Sequence, residues 1–156
     1  MIAYKFLHDD FRSGKGDESP WVVGETRTHA GPVVLCQSGY HWSDDWYDAL
    51  QYAPGNVAAL VDVSEPVARE SDKGVSRSMT VLAMVNVEHQ LRLWGCDCAE
   101  RALLRERDHG REPDARSWAA IEVARAYSAG EATREDLTAA WDAARDAARA
   151  AARAAA

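Results

Sequence analysis

Near residue 88 the chain changes its period, and no other feature of the sequence constrains the fold as much. Before that point, short apolar runs are cut by Gly, Pro and Ser breaks. After it, apolar residues recur at three-to-four spacing through long windows. At 156 residues the chain is about one ordinary domain, long enough to bury roughly two-thirds of its unfolded surface without staples. The pattern predicts an α+β protein: a β-rich part over residues 1–88 with one short helix, then a helical part over residues 89–156. The helical part holds three helices, the last long and Ala-rich, and the two parts are expected to pack as one compact unit.

In the first part, residues 3–7, 21–23, 33–36, 57–63 and 79–87 read as strands. Between the third and fourth, SDDWYDALQYA reads as a helix with Ser43 as its N-cap and Asp44 and Asp45 at its positive end. Trp46, Tyr47 and Leu50 fall toward one face, and Pro54-Gly55 closes the helix.

In the second part, residues 89–107 form a helix with Leu91, Trp94, Cys98 and Ala102 on one face. Residues 114–128 form the next, carrying Trp118, Ile121, Val123 and Tyr127 and stopped by Gly130 in the left-handed conformation. Thr133 and Asp136 make a capping box for the last helix, which runs to the end of the sequence. There Trp141, Arg145, Arg149 and Arg153 repeat every four residues, and Asp142 and Asp146 each precede an arginine by three. The row reads as a solvated, self-paired face. The alternative is a basic ridge used against a carboxylate or phosphate surface on a partner. The alanines between the arginines let another helix approach closely, within the chain or across a homodimer.

Charge narrows the function. Eighteen Lys and Arg against 25 Asp and Glu give a net charge of -7, which argues against general nucleic-acid binding and favours a basic protein partner. Residues 1–94 hold 8 basic and 13 acidic side chains, residues 95–156 hold 10 and 12, so the acidic excess belongs mainly to the first part. No stretch approaches the ~20 apolar residues of a membrane helix, and MIAYKFLHDDF lacks the pattern of a secretory signal. The expectation is a cytoplasmic protein with no membrane contact. The odd set Cys36, Cys96 and Cys98 is expected to stay reduced.

The densest chemistry lies in LCQSGYHWSDDWYDALQYAPG, residues 35–55. Cys36, His41, Cys96 and Cys98 could supply four zinc ligands, but their spacing does not match paired zinc ligands, and a reduced cysteine is more often a small buried hydrophobe; no metal is expected. His41, followed by Asp44 and Asp45, has the makings of a general base, with Tyr4 and Tyr47 as further candidates if the protein is an enzyme. The competing reading has His41 hydrogen-bonding the backbone of its turn and capping the short helix. The sequence has no phosphate-cradling glycine loop, nucleophile elbow or His-Glu-x-x-His, so no cofactor is expected. Trp42, Asp44, Asp45 and Trp46 would then form an acidic, aromatic edge for a protein partner.

Two resemblances extend this reading. YKFL, VVLCQSGYHWSDDWYDALQYAPG and VAALVDVSEPVARESDKGVSRSMTVL resemble an uncharacterised domain family of phage and bacterial genomes, matched at Cys36, Gly39, His41, Asp48, Ala49, Leu50, Asp72 and Lys73. That resemblance implies a shared fold and no activity. LRLWGCDCAERALL and WAAIEVARAYSAGEATREDLTAAWDAARDAARAAA resemble the helical immunity proteins encoded beside bacterial toxin systems, through the Cys98 segment and the Ala124-Arg125-Ala126-Tyr127 to Gly130-Glu131 segment. By analogy it implies inhibition through protein–protein contact. The expected function is therefore a phage or bacterial accessory protein that binds and neutralises a toxin or a host defence component. The alternative is a small enzyme or nucleotide-binding domain around Tyr4, Gly39, His41, Tyr47 and Tyr52, similar at the fold level to ADP-ribosyltransferases.

Overall fold

The protein is α+β, seen here in a computed structural model that describes residues 1–14 and 18–154. The chain divides into two compact units, Met1–Glu88 and His89–Ala156.

In the first unit, the strands β1 (Ile2–Leu7), β4 (Val57–Val63), β7 (Ser78–Asn86) and β2 (Thr26–Thr28) form an antiparallel sheet in the order β1-β4-β7-β2. A second antiparallel sheet is ordered β3 (Tyr40–Trp42), β6 (Gly74–Ser76), β5 (Pro66–Arg69). The apolar alternation of Val57, Ala59, Val61 and Val63 puts one face of β4 into the core with Ala3, Leu7, Met79 and Val81. Two tryptophans from irregular or short segments complete it, Trp21 at 1% and Trp42 at 2% exposure.

Trp42 shows how the core is specified. Its indole N–H donates to Ser76 Oγ at 2.9 Å, and Ser76 Oγ donates to the Ser64 carbonyl at 2.8 Å, so the buried polar atoms are joined in one chain. Its ring lies on Gly74, where an added Cβ would come within 2.3 Å of the indole; only glycine admits this approach.

Several segments of this unit depart from the strand pattern expected from the sequence. Residues 21–23 are not a strand: Trp21 alone turns inward while Val22 and Val23 are exposed, and the chain turns there before pairing as β2. Residues 33–36 are not a strand either but a tight turn closed by a Val34–Ser38 bridge, with Cys36 exposed at φ 64° rather than buried. β3, β5 and β6 are too short to show a period of two. The short helix α1 (Trp46–Gln51) forms, but its N-cap is Asp45, whose carboxylate accepts the Asp48 N–H at 2.9 Å. Ser43 is buried and belongs to a backbone bridge with Tyr4.

The second unit holds α2 (Glu88–Asp108), α3 (Ala115–Ala129) and α4 (Arg134–Ala154). Local signals act as expected: Gly130 is left-handed at φ 78°, and Thr133 and Asp136 exchange cap hydrogen bonds, at 2.9 Å and 3.1 Å. The core is Cys96, Ile121, Ala124 and Leu137, with Leu103, Val123 and Tyr127 packed around it. Thus α2 faces inward through Cys96 and Leu103; Trp94, Cys98 and Ala102, expected on its apolar face, are exposed. Arg125 of α3 clasps Asp97 at 2.8 Å and Glu100 at 2.6 Å on α2, which fixes that rotation. On α4, Arg145 pairs with Asp142 at 3.2 Å and Arg149 lies 3.8 Å from Asp146, all well exposed, while Leu137 and Ala147 face inward. The last two alanines of the predicted helix lie outside the described residues.

Candidate functional site

The bridge between Tyr4 and Ser43 borders a concavity of the first unit. Tyr4 N–H donates to the Ser43 carbonyl and Ser43 N–H to the Tyr4 carbonyl, both at 2.9 Å, so β1 is tied to the end of β3 just before α1 begins. Below this junction lies a cavity of about 320 Å3 walled by Tyr4, Phe6, Trp42 and Tyr52, with Lys5 and His41 reaching into it. That size is at the small end of ligand pockets.

The two lysines of this cavity differ. Lys5 Nζ donates to the His41 carbonyl at 3.2 Å, and among the described residues no carboxylate stands within ion-pair reach of it. Burial lowers its pKa to about 8, opposed by the more distant Glu18 carboxylate. Lys73, also lining the cavity, is paired: its ammonium lies 3.1 Å from Glu70 and donates to the Tyr52 hydroxyl at 3.3 Å. Those bonds raise its pKa above the ordinary lysine value. Tyr52 in turn donates to the Asp72 carboxylate.

His41 is half-buried, and its Nε2 accepts the Cys36 backbone N–H at 2.7 Å. Burial first, and the positive charges of Lys5 and Lys73 as well, hold its pKa below the usual imidazole value, against a hydrogen bond with the Gly39 backbone that raises it. A neutral ring whose Nε2 is taken by a backbone N–H is a structural brace for the turn that presents Cys36. It does not cap α1, a role that Asp45 fills. Of the other residues suggested for catalysis, Tyr4 lines the cavity, whereas Tyr47 is 68% exposed and lies outside its lining.

α1 also carries an exposed surface, which shares Tyr52 with the cavity. Trp46, Tyr47 and Tyr52 are 42%, 68% and 50% exposed on a helix of six residues and its C-cap. Trp46 leans over Tyr4, ring centroids 4.5 Å apart, meets Phe6 edge-on at 6.0 Å, and remains part-exposed. Asp44 pairs with Arg69 at 2.6 Å, and Asp48 has its pKa raised by desolvation and then by the carboxylates of Asp45, Asp72 and Asp44. Of the expected partner-binding edge, Asp44, Asp45 and Trp46 are accessible here. Trp42 is not: the sequence placed it on the surface, and its buried hydrogen bond to Ser76 keeps it in the core.

Among the described residues no group of three His, Cys, Asp or Glu side chains is placed to hold a metal ion. Cys36 and His41 meet only through the backbone N–H, and Cys96 is buried while Cys98 is exposed on the same helix. No helix among the described residues is long and apolar enough to cross a membrane. Lys5 escaped the sequence reading although a signal exists: in IAYKFL it shares its parity with Ala3 and Leu7, so a charged side chain stands in line with core positions.

A family model described as "Domain of unknown function (DUF7666)" matches residues 1–93, which take in the whole first unit and the first turn of α2. No curated protein and no solved structure matches the chain.

Proposed function

Since the chain belongs to the DUF7666 family, whose description carries no activity to inherit, we propose from geometry that its first unit is a protein-binding module that engages a basic partner through α1. One observation carries the reading: Trp46, Tyr47 and Tyr52 stand exposed on and just after a six-residue helix that also carries Asp48, whose carboxylate is crowded by those of Asp45, Asp72 and Asp44, a repulsion that a cationic partner would relieve. Trp46 and Tyr47 supply anchors, and Asp44, Asp45 and Asp48 supply steering and register. The finer reading, a phage or bacterial accessory protein that neutralises a toxin or a host defence component, draws support from the two sequence resemblances and from the acidic net charge. A catalytic role at His41 has the cavity in its favour and the occupied Nε2 against it.

Purified basic products of the adjoining genes, titrated against the full chain by biolayer interferometry, test the proposal. One of them binds. Replacing Asp44 and Asp45 together by Asn, which still caps a helix, slows its association several-fold at low salt and little at high salt. Trp46→Ala with Tyr47→Ala weakens it by about ten-fold or more through faster dissociation. Binding that survives both double changes unaltered overturns the assignment to α1.

A further inference from the structure

We infer that the cavity beneath the Tyr4–Ser43 bridge binds a small organic anion, a compound with a flat apolar body and one carboxylate or phosphate group, with Lys5 as its principal counter-ion.

Lys5 lacks an anionic partner among the described residues. An ammonium group has three donors, and here one described acceptor receives it, the His41 carbonyl. The nearest carboxylate acting on it, Glu18, is already committed to the Ser13 hydroxyl at 3.0 Å and to Arg27 at 3.2 Å. Taking a charged amine out of water without a partner is costly, so the position is a poor one for a purely structural lysine. It is a good one for a lysine that waits for an anion. The neighbouring charges agree. Lys73 stands at the same cavity, and His41, whose Nε2 accepts the Cys36 N–H, is neutral and contributes no charge of its own.

The carboxylates nearby already have partners: Asp44 with Arg69 and Asp45 with the Asp48 N–H, and, through residues of the cavity lining itself, Glu70 with Lys73 and Asp72 with the Tyr52 hydroxyl. A protein acidic overall thus holds at this cavity one cation, Lys5, without a carboxylate partner among the described residues. The body of the ligand follows from the walls. Tyr4, Phe6, Trp42 and Tyr52 present ring surface, and about 320 Å3 admits a single ring with its acidic group, not a dinucleotide. Of the residues the sequence suggested for an enzyme site, Tyr4, His41 and Tyr52 line this cavity, and Lys5 and Phe6 were not among them.

Ligand-observed NMR and calorimetry on the full chain, with benzoate, phenyl phosphate, inorganic phosphate and neutral benzamide as probes, decide the matter. Benzoate or phenyl phosphate binds saturably below about 1 mM, and the better of the two identifies the head group. Inorganic phosphate binds at least ten-fold more weakly, for want of a ring, and benzamide at least ten-fold more weakly, for want of charge. Lys5→Met keeps the stem and deletes the ammonium; it loses the anion by ten-fold or more while its thermal transition is retained. Affinity in the unmodified protein also falls as pH rises from 7 to 10, because Lys5 gives up its proton, and this arm needs no variant. Failure of both anions to saturate at 10 mM, equal binding of benzamide, undiminished binding by folded Lys5→Met, or a flat pH profile each overturns the inference. Because none of these readouts involves a protein partner, their failure leaves the assignment of α1 standing.

Discussion

The two units reach a single structure by opposite routes. In the first, the decisive contacts join residues far apart in sequence: Trp42 on Gly74, Ser76 on Ser64, Tyr4 on Ser43, Lys5 on His41. In the second, caps and ion pairs within a few residues define the helices, and a small core of Cys96, Ile121, Ala124 and Leu137 joins them. Their concavities differ in the same sense. The first unit's cavity has charged groups at its centre, whereas a groove of about 430 Å3 in the second is lined mainly by alanines, Leu103, Ile121 and Trp141. A unit built from non-local contacts can place unlike chemistries around one point. One built from repeating helical turns presents a face.

The largest expected effect breaks the first unit and spares the second. Gly74→Val drives two methyl groups into the Trp42 ring, where even a Cβ stands at 2.3 Å, and backbone β6 cannot retreat without releasing its pairing with β3 and β5. The cost is on the order of 3 kcal/mol or more. Tryptophan fluorescence and near-ultraviolet circular dichroism change in part, through Trp21, Trp42 and Trp46, while the helical far-ultraviolet signal of α2 to α4 persists. Loss of both signals together would show that the units do not hold their structure separately.

Lys5→Met comes next and has the opposite sign. Below pH 8 the ammonium is charged in both the folded and the unfolded chain, and the folded state bears the full cost of enclosing it. Between pH 8 and the ordinary 10.5 the folded lysine is neutral while the unfolded one still binds a proton, so the stability of the unmodified protein rises with pH. Lys5→Met is therefore more stable at pH 7 by about 2 kcal/mol, an advantage that fades by about pH 10.5. Denaturant titrations at pH 7 and 10 measure it. A destabilised Lys5→Met at pH 7 would mean that the ammonium has stabilising partners in the fold.

The contrast also explains what could be read in advance. Gly130, Thr133 and the Asp142–Arg145 spacing act within one turn of helix, so their consequences are contained in the local sequence. The same holds for β4 and β7, whose apolar runs are long enough to read as strands. It fails for β3, β5 and β6, each of four residues or fewer, and for residues 21–23 and 33–36, where an apolar run ends in a turn. At the site, the aromatic and acidic character of residues 42–48 was visible, but the burial of Trp42 depends on Gly74 and Ser76, more than 30 residues away. Cys98 was misplaced for a related reason. The face of α2 is set by what α3 offers, Arg125 to Asp97 and Glu100, and the apolar residues of α2 surround the helix too evenly to choose.

The smallest expected effect sharpens the comparison at the end where local rules should suffice. Arg145 and Arg149 stand 58% and 63% exposed beside their aspartates, in ion pairs one turn apart that water and salt screen. Replacing both by Gln keeps the helix propensity and removes the charge, so the melting transition should move by no more than the equivalent of about 0.5 kcal/mol. Ala147 lies between them in sequence but at 3% exposure, on the face that Leu137 shares. Ala147→Gln serves as the internal contrast, since its added bulk has no room and should cost about 1 to 3 kcal/mol. If the double arginine change proves the more damaging, the row is held by something other than its own aspartates, and the surface at Arg145 and Arg149 is a seam with another chain.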